Sequence, residues 1–177
     1  MTTNTNATSA IPAPPVRWIV LMTAIVYALD QLTKFLVLKS LGQGQEKVIL
    51  DGFFRFVHWG NTGASWSLFH DNNTTLAIVA GVAFVALIFA RKHFSTHSLS
   101  GQLAFWMILG GIAGNLTDRI IPSRQHVIDF LRFDTGKISF PAFNVADSGI
   151  CVGVALLFWV TWKTERATKT DGGKVAS

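Results

Sequence analysis

Four long apolar runs decide what this chain can fold into. They lie at about 18–38, 75–90, 99–116 and 143–162. A helix rises about 1.5 Å per residue, so a membrane crossing takes roughly 20 apolar residues, with ~17 at the low end. The first, third and fourth runs reach that range. The second, TLAIVAGVAFVALIFA, is short and needs Asn73 or Thr74 to complete it. The expected fold is therefore a mainly α membrane protein, a four-transmembrane-helix bundle. Half the residues are hydrophobic, 14% are charged and the mean hydropathy is +0.39, values foreign to an ordinary soluble domain. At 177 residues the chain holds one domain.

The flanks set the domain limits and the orientation. Residues 1–16, MTTNTNATSAIPAPPV, are polar, proline-rich and uncharged, and are expected to form a disordered tail. The membrane domain spans 17–163, and 164–177 is a basic polar tail. A cleavable signal peptide is not expected, because Arg17 leads into an apolar run with no small-residue cleavage site at its end. Four crossings put both termini on one side. Arg17, Arg91, Lys92, Lys163, Arg166, Lys169 and Lys174 lie on that side, and Lys39, Lys47, Arg55, Arg119, Arg124, Arg132 and Lys137 on the other. Density breaks the tie: the compact Arg91-Lys92 turn and the basic tail after Trp162 predict cytoplasmic termini. Membrane-side lysines and arginines also account for the net charge of +5, so nucleic acid is not an expected partner.

The outward loops then carry β-rich excursions at 48–69 and 126–140. The first, VILDGFFRFVHWGNTGASWSLF, mixes aromatic and β-branched runs with glycine turns. The second, HVIDFLRFDTGKISF, reads as a hairpin with its turn at Asp134-Thr135-Gly136-Lys137. Val127, Asp129, Leu131 and Phe133 share one strand face, so Asp129 is an acid on a greasy surface. Asp134-Thr135-Gly136 resembles the triplet of pepsin-like proteases. That soluble β-barrel needs two such triplets, however, and Asp-x-Gly is ordinary turn chemistry.

Gly110 and Gly114 in the third run, and Gly149 and Gly153 in the fourth, have the spacing of close helix packing. Cys151, the one cysteine, excludes an internal disulfide and reads as a small buried thiol. His58, His70 and His126 share no ligand spacing, so no metal is expected.

Polar clusters at 30–34, 61–65, 114–119, 127–130 and 143–148 fall towards one side of the membrane. Asn115 and Arg119 share a helix face, as do Asn144, Asp147, Ser148 and Cys151. Asp147 sits about four residues inside the start of the fourth run. Ionised carboxylates beside hydrocarbon are costly and point to function. Two that share a proton, as Asp129 and Asp147 would, are the parts of an aspartyl protease. One takes a proton from the attacking water and the other hydrogen-bonds the scissile carbonyl. Which of them is the base is left open, because the two titrate as a unit. Arg119 pairing with Asp118 or Asp30 is the structural alternative to a site role.

The strings DQLTK at 30–34, NTGASWSLF at 61–69, GGIAGNLTDR at 110–119, VIDF at 127–130 and FNVADS at 143–148 resemble, in order, those of the bacterial lipoprotein signal peptidases (signal peptidase II). The resemblance runs from about Trp18 to Trp162. It implies an aspartyl endopeptidase of the bacterial inner membrane that cuts prolipoproteins before a diacylglyceryl-modified cysteine. It also implies membrane lipids as surroundings, a monomer, no cofactor, and a site near the periplasmic face. The family's catalytic pair falls on Asp129 and Asp147. Its other polar positions, with supporting or substrate-binding roles, fall on Asp30, Lys34, Asn61, Asn115, Arg119 and Asn144. Ser65-Trp66-Ser67 stands where the family often has Ala-Phe-Ser, which touches only fine substrate fit.

Two other classes fit parts of the chain. A proton-coupled transporter would use Asp30, Asp129 and Asp147 as a relay, but calls for carboxylates near mid-membrane and an internal repeat. A membrane scaffold explains the glycine spacings and leaves the polar clusters without a role.

Overall fold

The computed structural model describes residues 16–63, 72–91 and 98–174. The N-terminal tail up to residue 15 and the segment 64–71, which holds Ser65-Trp66-Ser67, lie outside them. The elements in order are helix α1 (Val16–Ser40), strands β1 (Glu46–Leu50) and β2 (Phe54–Asn61), helices α2 (Asn73–Ala90) and α3 (Leu99–Ile120), strand β3 (Val127–Phe133) and helix α4 (Val145–Lys174). Four stretches are long and apolar enough to cross a membrane: Val20–Ser40, Asn73–Ala90, Leu99–Ile120 and Val145–Arg166. All four expected spans are present, and the short second one is completed by Asn73 and Thr74. Helix α4 runs on to Lys174, through most of the basic tail.

Helix α3 is the hub. It packs against α4 most extensively, then α1, then α2. Its sequence, LSGQLAFWMILGGIAGNLTDRI, is the least apolar of the spans and the most buried. This inverts the soluble rule, because the solvent here is hydrocarbon and polar groups must be hidden among helices. Helix α2 is the opposite case. It has no buried residue, and Ile78, Val79, Val82, Val85 and Phe89 point away from the protein.

Glycine sets the helix spacing. A Cβ on Gly111 would overlap the Ala146 carbonyl oxygen, and one on Gly153 would sit 2.7 Å from that of Ala104. These two residues seat α3 on α4. Gly149 and Gly110 turn instead towards Val26 of α1, and Gly110 also meets the Thr23 carbonyl. Neither expected pair keeps to one interface: Gly149 also meets the Met107 carbonyl of α3, and Gly114 meets Asp30 of α1 and Ala146 of α4. Gly110 belongs to α1–α3 contact, and Gly111, one residue along, supplies the α4 contact expected of it.

The strands form one antiparallel sheet in the order β1-β2-β3. The expected 126–140 hairpin is only half realised. Its turn is present, with Asp134 bridging Ser139 and Gly136 at φ +73°. The returning segment makes only isolated bridges, among them Phe143 with Leu131, and β3 takes β2 as its ladder partner. The β2 strand, with Phe54, Phe56 and Val57, offers the longer apolar surface, and Phe54 stacks on Phe133 with ring centroids 4.8 Å apart. Ile128 and Phe130 pack on Val37 of α1, fixing the sheet to the end of the first helix.

The glycine seat can be tested by a pair of substitutions. Gly153→Ala forces a methyl group onto backbone and should destabilise the purified protein by about 1–3 kcal/mol, seen as a lower thermal midpoint. Gly81→Ala in α2 meets nothing within 4 Å and should leave the midpoint unchanged or higher.

Candidate active site

At the end of the bundle where β2, β3 and the start of α4 meet α3, a cavity of about 1010 Å³ opens. Asn61, Asn115, Arg119, Asp129 and Asp147 line it, together with Trp59, Phe143 and Ser148. Asp30, Lys34 and Asn144 are fully buried behind that lining. The residues expected from sequence thus form two layers.

Asp129 is placed by the sheet. Its strand partner is Trp59, which puts Asn61 diagonally across on the same face. Asn61 Nδ2 donates to Asp129 Oδ2 at 2.9 Å, and Asn144 Nδ2 donates to Asp129 Oδ1 at 2.7 Å. Burial, followed by the neighbouring Asp147 carboxylate, pushes Asp129 up to about 7, against the hydrogen bonds of Asn61 and Asn144 and the Lys34 charge.

Asp147 is placed by a helix cap. Asn144 precedes α4, and its Oδ1 accepts from the Asp147 N–H at 2.9 Å. Asp147 Oδ2 accepts from the Asn144 N–H at 3.2 Å in return. This reciprocal pair is a capping box built from Asn and Asp. It starts α4 at Val145, so Asp147 is the third helical residue and lies shallower than its expected position four residues inside. Asn115 Nδ2 donates to the remaining oxygen, Oδ1, at 2.7 Å. All four carboxylate oxygens of the two acids therefore accept from amides.

Three asparagines hold these acids, and each is locked in orientation by a donor on its own oxygen. Asn61 Oδ1 accepts from the Gly63 N–H at 2.9 Å, Asn144 Oδ1 from the Asp147 N–H, and Asn115 Oδ1 from Lys34 Nζ at 3.0 Å. An amide whose oxygen is so engaged must turn its NH₂ the other way, towards the acid.

Lys34 is the centre of the second layer. Its Nζ lies 2.7 Å from Asp30 Oδ2 and 2.6 Å from Asp118 Oδ2, with every side chain fully buried. With Asn115 this gives three acceptors for three N–H bonds. Asp30 Oδ1 also accepts from the Ala146 N–H of α4 at 2.9 Å, and Arg124 closes the cluster on Asp118 Oδ1. Gly114 makes room for it, since a Cβ there would sit 2.5 Å from Asp30 Oδ2.

Arg119 takes neither ion pair considered from sequence. Its guanidinium donates to Asn73 Oδ1 at 3.0 Å and to the Gly63 carbonyl at 2.8 Å, tying α2 and the end of β2 to α3. Cys151 is not buried: it is exposed and lines the cavity. The packed stripe of α4 is Ala146, Gly149 and Gly153, and Cys151 falls on the stripe beside it with Asp147 and Ser148. Asp134 sits in its turn between Arg55, Arg132 and Ser139; the Ser139 hydroxyl, ahead of the arginines, holds its carboxyl below the ordinary range. Among the described residues, no cluster of three His, Cys, Asp or Glu side chains is arranged to hold a metal.

Asp118 and Gln31 lie inside the polar clusters at 114–119 and 30–34 but were not among the expected site residues, and neither was Arg124. Asp118 had a signal, since it lies three residues from Asn115 and shares its face. Arg124 had none, because a loop residue shows no periodicity.

Comparison with known proteins places the chain. The profile described as Signal peptidase (SPase) II matches residues 22–163. A lipoprotein signal peptidase of Bacillus pumilus (strain SAFR-032) is 38% identical over 139 residues, covering 76% of this chain and 85% of that protein. One from Listeria monocytogenes serotype 4a (strain HCC23) is 33% identical over 149 residues, covering 84% and 96%. A solved bacterial membrane enzyme, determined by the in meso method at 2.3 Å, superposes with a TM-score of 0.77 at 25% identity, covering 86% of this chain and 92% of that one. With the profile spanning most of its length, and relatives this similar matched over three quarters or more of it, the chain belongs to the signal peptidase II family of membrane peptidases.

Proposed function

We propose that this protein cleaves the signal peptide from diacylglyceryl-modified bacterial prolipoproteins, just before the modified cysteine, with Asp129 and Asp147 as an aspartyl pair. The observation that carries the reading is two carboxylates in one cavity, each oxygen held by an amide donor. Family membership supports the substrate class.

In the proposed reaction the pair holds one proton. The ionised member accepts a proton from water, and the resulting oxygen attacks the scissile carbonyl carbon. The protonated member donates a hydrogen bond to the carbonyl oxygen as it gains charge. Collapse of the tetrahedral intermediate breaks the C–N bond, and a carboxyl proton goes to the leaving nitrogen. The rise of Asp129 to about 7 fits a shared proton near neutral pH. Asn61, Asn115 and Asn144 aim the acids, and Asp30 and Lys34 hold those aims from behind. Arg119 shapes the rim. No metal or organic cofactor enters this scheme.

The peptidase unit is proposed as residues 17–163, flanked by tails at 1–16 and 164–177. It would act as a monomer in the bacterial inner membrane, surrounded by lipid, with both termini cytoplasmic and the site near the periplasmic face. Labelling of single cysteines in a Cys151→Ser background reads this orientation directly. In intact cells a membrane-impermeant maleimide should label Thr135→Cys and spare Ser177→Cys; the reverse pattern would place the site on the cytoplasmic side.

Cleavage should depend on the lipid. Acyl chains anchored in the bilayer beside the cavity would present the cysteine at a fixed depth, a positioning effect more than an affinity effect. Purified protein should therefore cut a diacylglyceryl-modified precursor and leave the unmodified one largely intact. Equal rates for the two in one detergent would refute this substrate assignment.

The acid pair is tested by asparagine substitutions. Asp129→Asn or Asp147→Asn should each remove nearly all turnover, and the double variant should be little worse, because groups acting as a unit are non-additive. Asparagine at 147 keeps an oxygen for the capping box, so the fold should survive. Asp134→Asn should keep most activity. Wild-type turnover should fall as pH rises through about 7, where the pair loses its shared proton. Full activity in folded Asp129→Asn or Asp147→Asn protein would rule the pair out.

A further inference from the structure

Behind the acid pair, two cations and two anions share one buried cluster: Lys34 and Arg124 against Asp30 and Asp118. Their charges cancel. Asp118 is the shared anion, fully buried, with Lys34 on one oxygen and Arg124 on the other. Gln31 Nε2 adds a 3.3 Å contact to Oδ1, and the Ile128 N–H a long 3.5 Å contact to Oδ2. Arg124 also donates to Gln31 Oε1 at 3.0 Å. Asp118 thus touches the ammonium that orients Asn115 on Asp147, and the backbone next to Asp129.

We infer that Asp118 and Arg124 are positioning residues for the peptidase reaction, which keep the cluster behind the two acids electrically neutral and Lys34 committed to Asn115. This rests on the acid-pair reading above. Neither residue lines the cavity.

A buried charge that loses its partner acts on what remains nearby. Without Asp118 the cluster carries one net positive charge beside the acids, which favours their ionised form. Without Arg124 it carries one net negative charge, which favours the protonated form. Other charged or titratable groups around the pair are Arg119 on α3, Arg132 on β3, His126 in the connection before it, His58 on β2 and Cys151 on α4. Arg119 is held by Asn73 and Gly63, Arg132 by Asp134 and Ser139 with its guanidinium over Trp59, and His58 by the Leu41 carbonyl. None of them makes a hydrogen bond or ion pair with the cluster, and the Arg119 guanidinium feels the Asp118 charge as well as those of the two acids.

The test is the pH profile of cleavage of a diacylglyceryl-modified precursor by purified, folded variants. Asp118→Asn should move the alkaline limb to lower pH by roughly half to one unit, and Arg124→Gln should move it to higher pH by a similar amount. Asp118→Asn combined with Arg124→Gln restores neutrality and should return the limb close to its wild-type place. Arg124→Lys keeps the charge and should hold the profile. A residue that only stabilises the fold would lower the yield or thermal midpoint and leave the profile of the folded fraction where it was. If Asp118→Asn does not fold, Arg124→Gln against Arg124→Lys decides the matter, since Arg124 sits at the partly exposed edge of the cluster. Unmoved limbs in both Asp118→Asn and Arg124→Gln, or limbs moving in the same direction, overturn the inference. The acid pair itself would still stand if Asp129→Asn and Asp147→Asn remain inactive.

Discussion

A single ammonium group organises this protein. Lys34 Nζ is fully buried in a helix most of whose other side chains are apolar and exposed, and it has three acceptors on two helices. An unpaired charge at such a place costs several kcal/mol, and removing one partner of a buried pair typically costs about 3–5 kcal/mol. The ammonium therefore fixes the distance between α1 and α3. Asp30, held by Lys34, reaches on to the first turn of α4 and fixes that helix as well. Asn115, held by the same ammonium, points its amide at Asp147. Helix placement and the aim of a cavity carboxylate rest on the same three N–H bonds.

Much of this was legible in the sequence because a bilayer leaves few choices. Four apolar runs gave four spans, with ends displaced by at most four residues. Asp129, Asp147, Asn61, Asn115 and Arg119 were gathered by one rule, that polar groups cluster towards one membrane face, and all five line one cavity. What escaped were features set by three-dimensional competition. The 126–140 hairpin lost its second strand because β2 offers β3 a better apolar partner, and cross-strand packing decides pairing. Cys151 was misread because an apolar neighbourhood in a membrane chain says nothing about which side of a helix is covered. Arg124 comes from a loop, where no period marks a residue that turns inward.

The capping box at the start of α4 joins stability to the site in a second way. Asn144 makes three hydrogen bonds that matter here: one to each acid and one that closes the cap. A cap of this kind is worth about 0.5–2 kcal/mol to its helix. The same residue thus starts the most extensively packed partner of α3 and spaces the two acids, so the geometry between them is inherited from helix initiation rather than added to a finished fold.

Helix α2 shows what the remaining sequence is free to do. Its polar grip is at one end, where Asn73 and Arg119 exchange hydrogen bonds through side chain and backbone. Along the rest of its length its main partner among the described residues is α3, and it buries nothing fully. Lipid tails accept any apolar side chain equally, so the stretch from Leu76 to Ala90 is specified by its oiliness and scarcely by its letters. Information in this chain is therefore distributed very unevenly: one crossing is written almost in a one-letter alphabet, while the three beside it are spelled residue by residue.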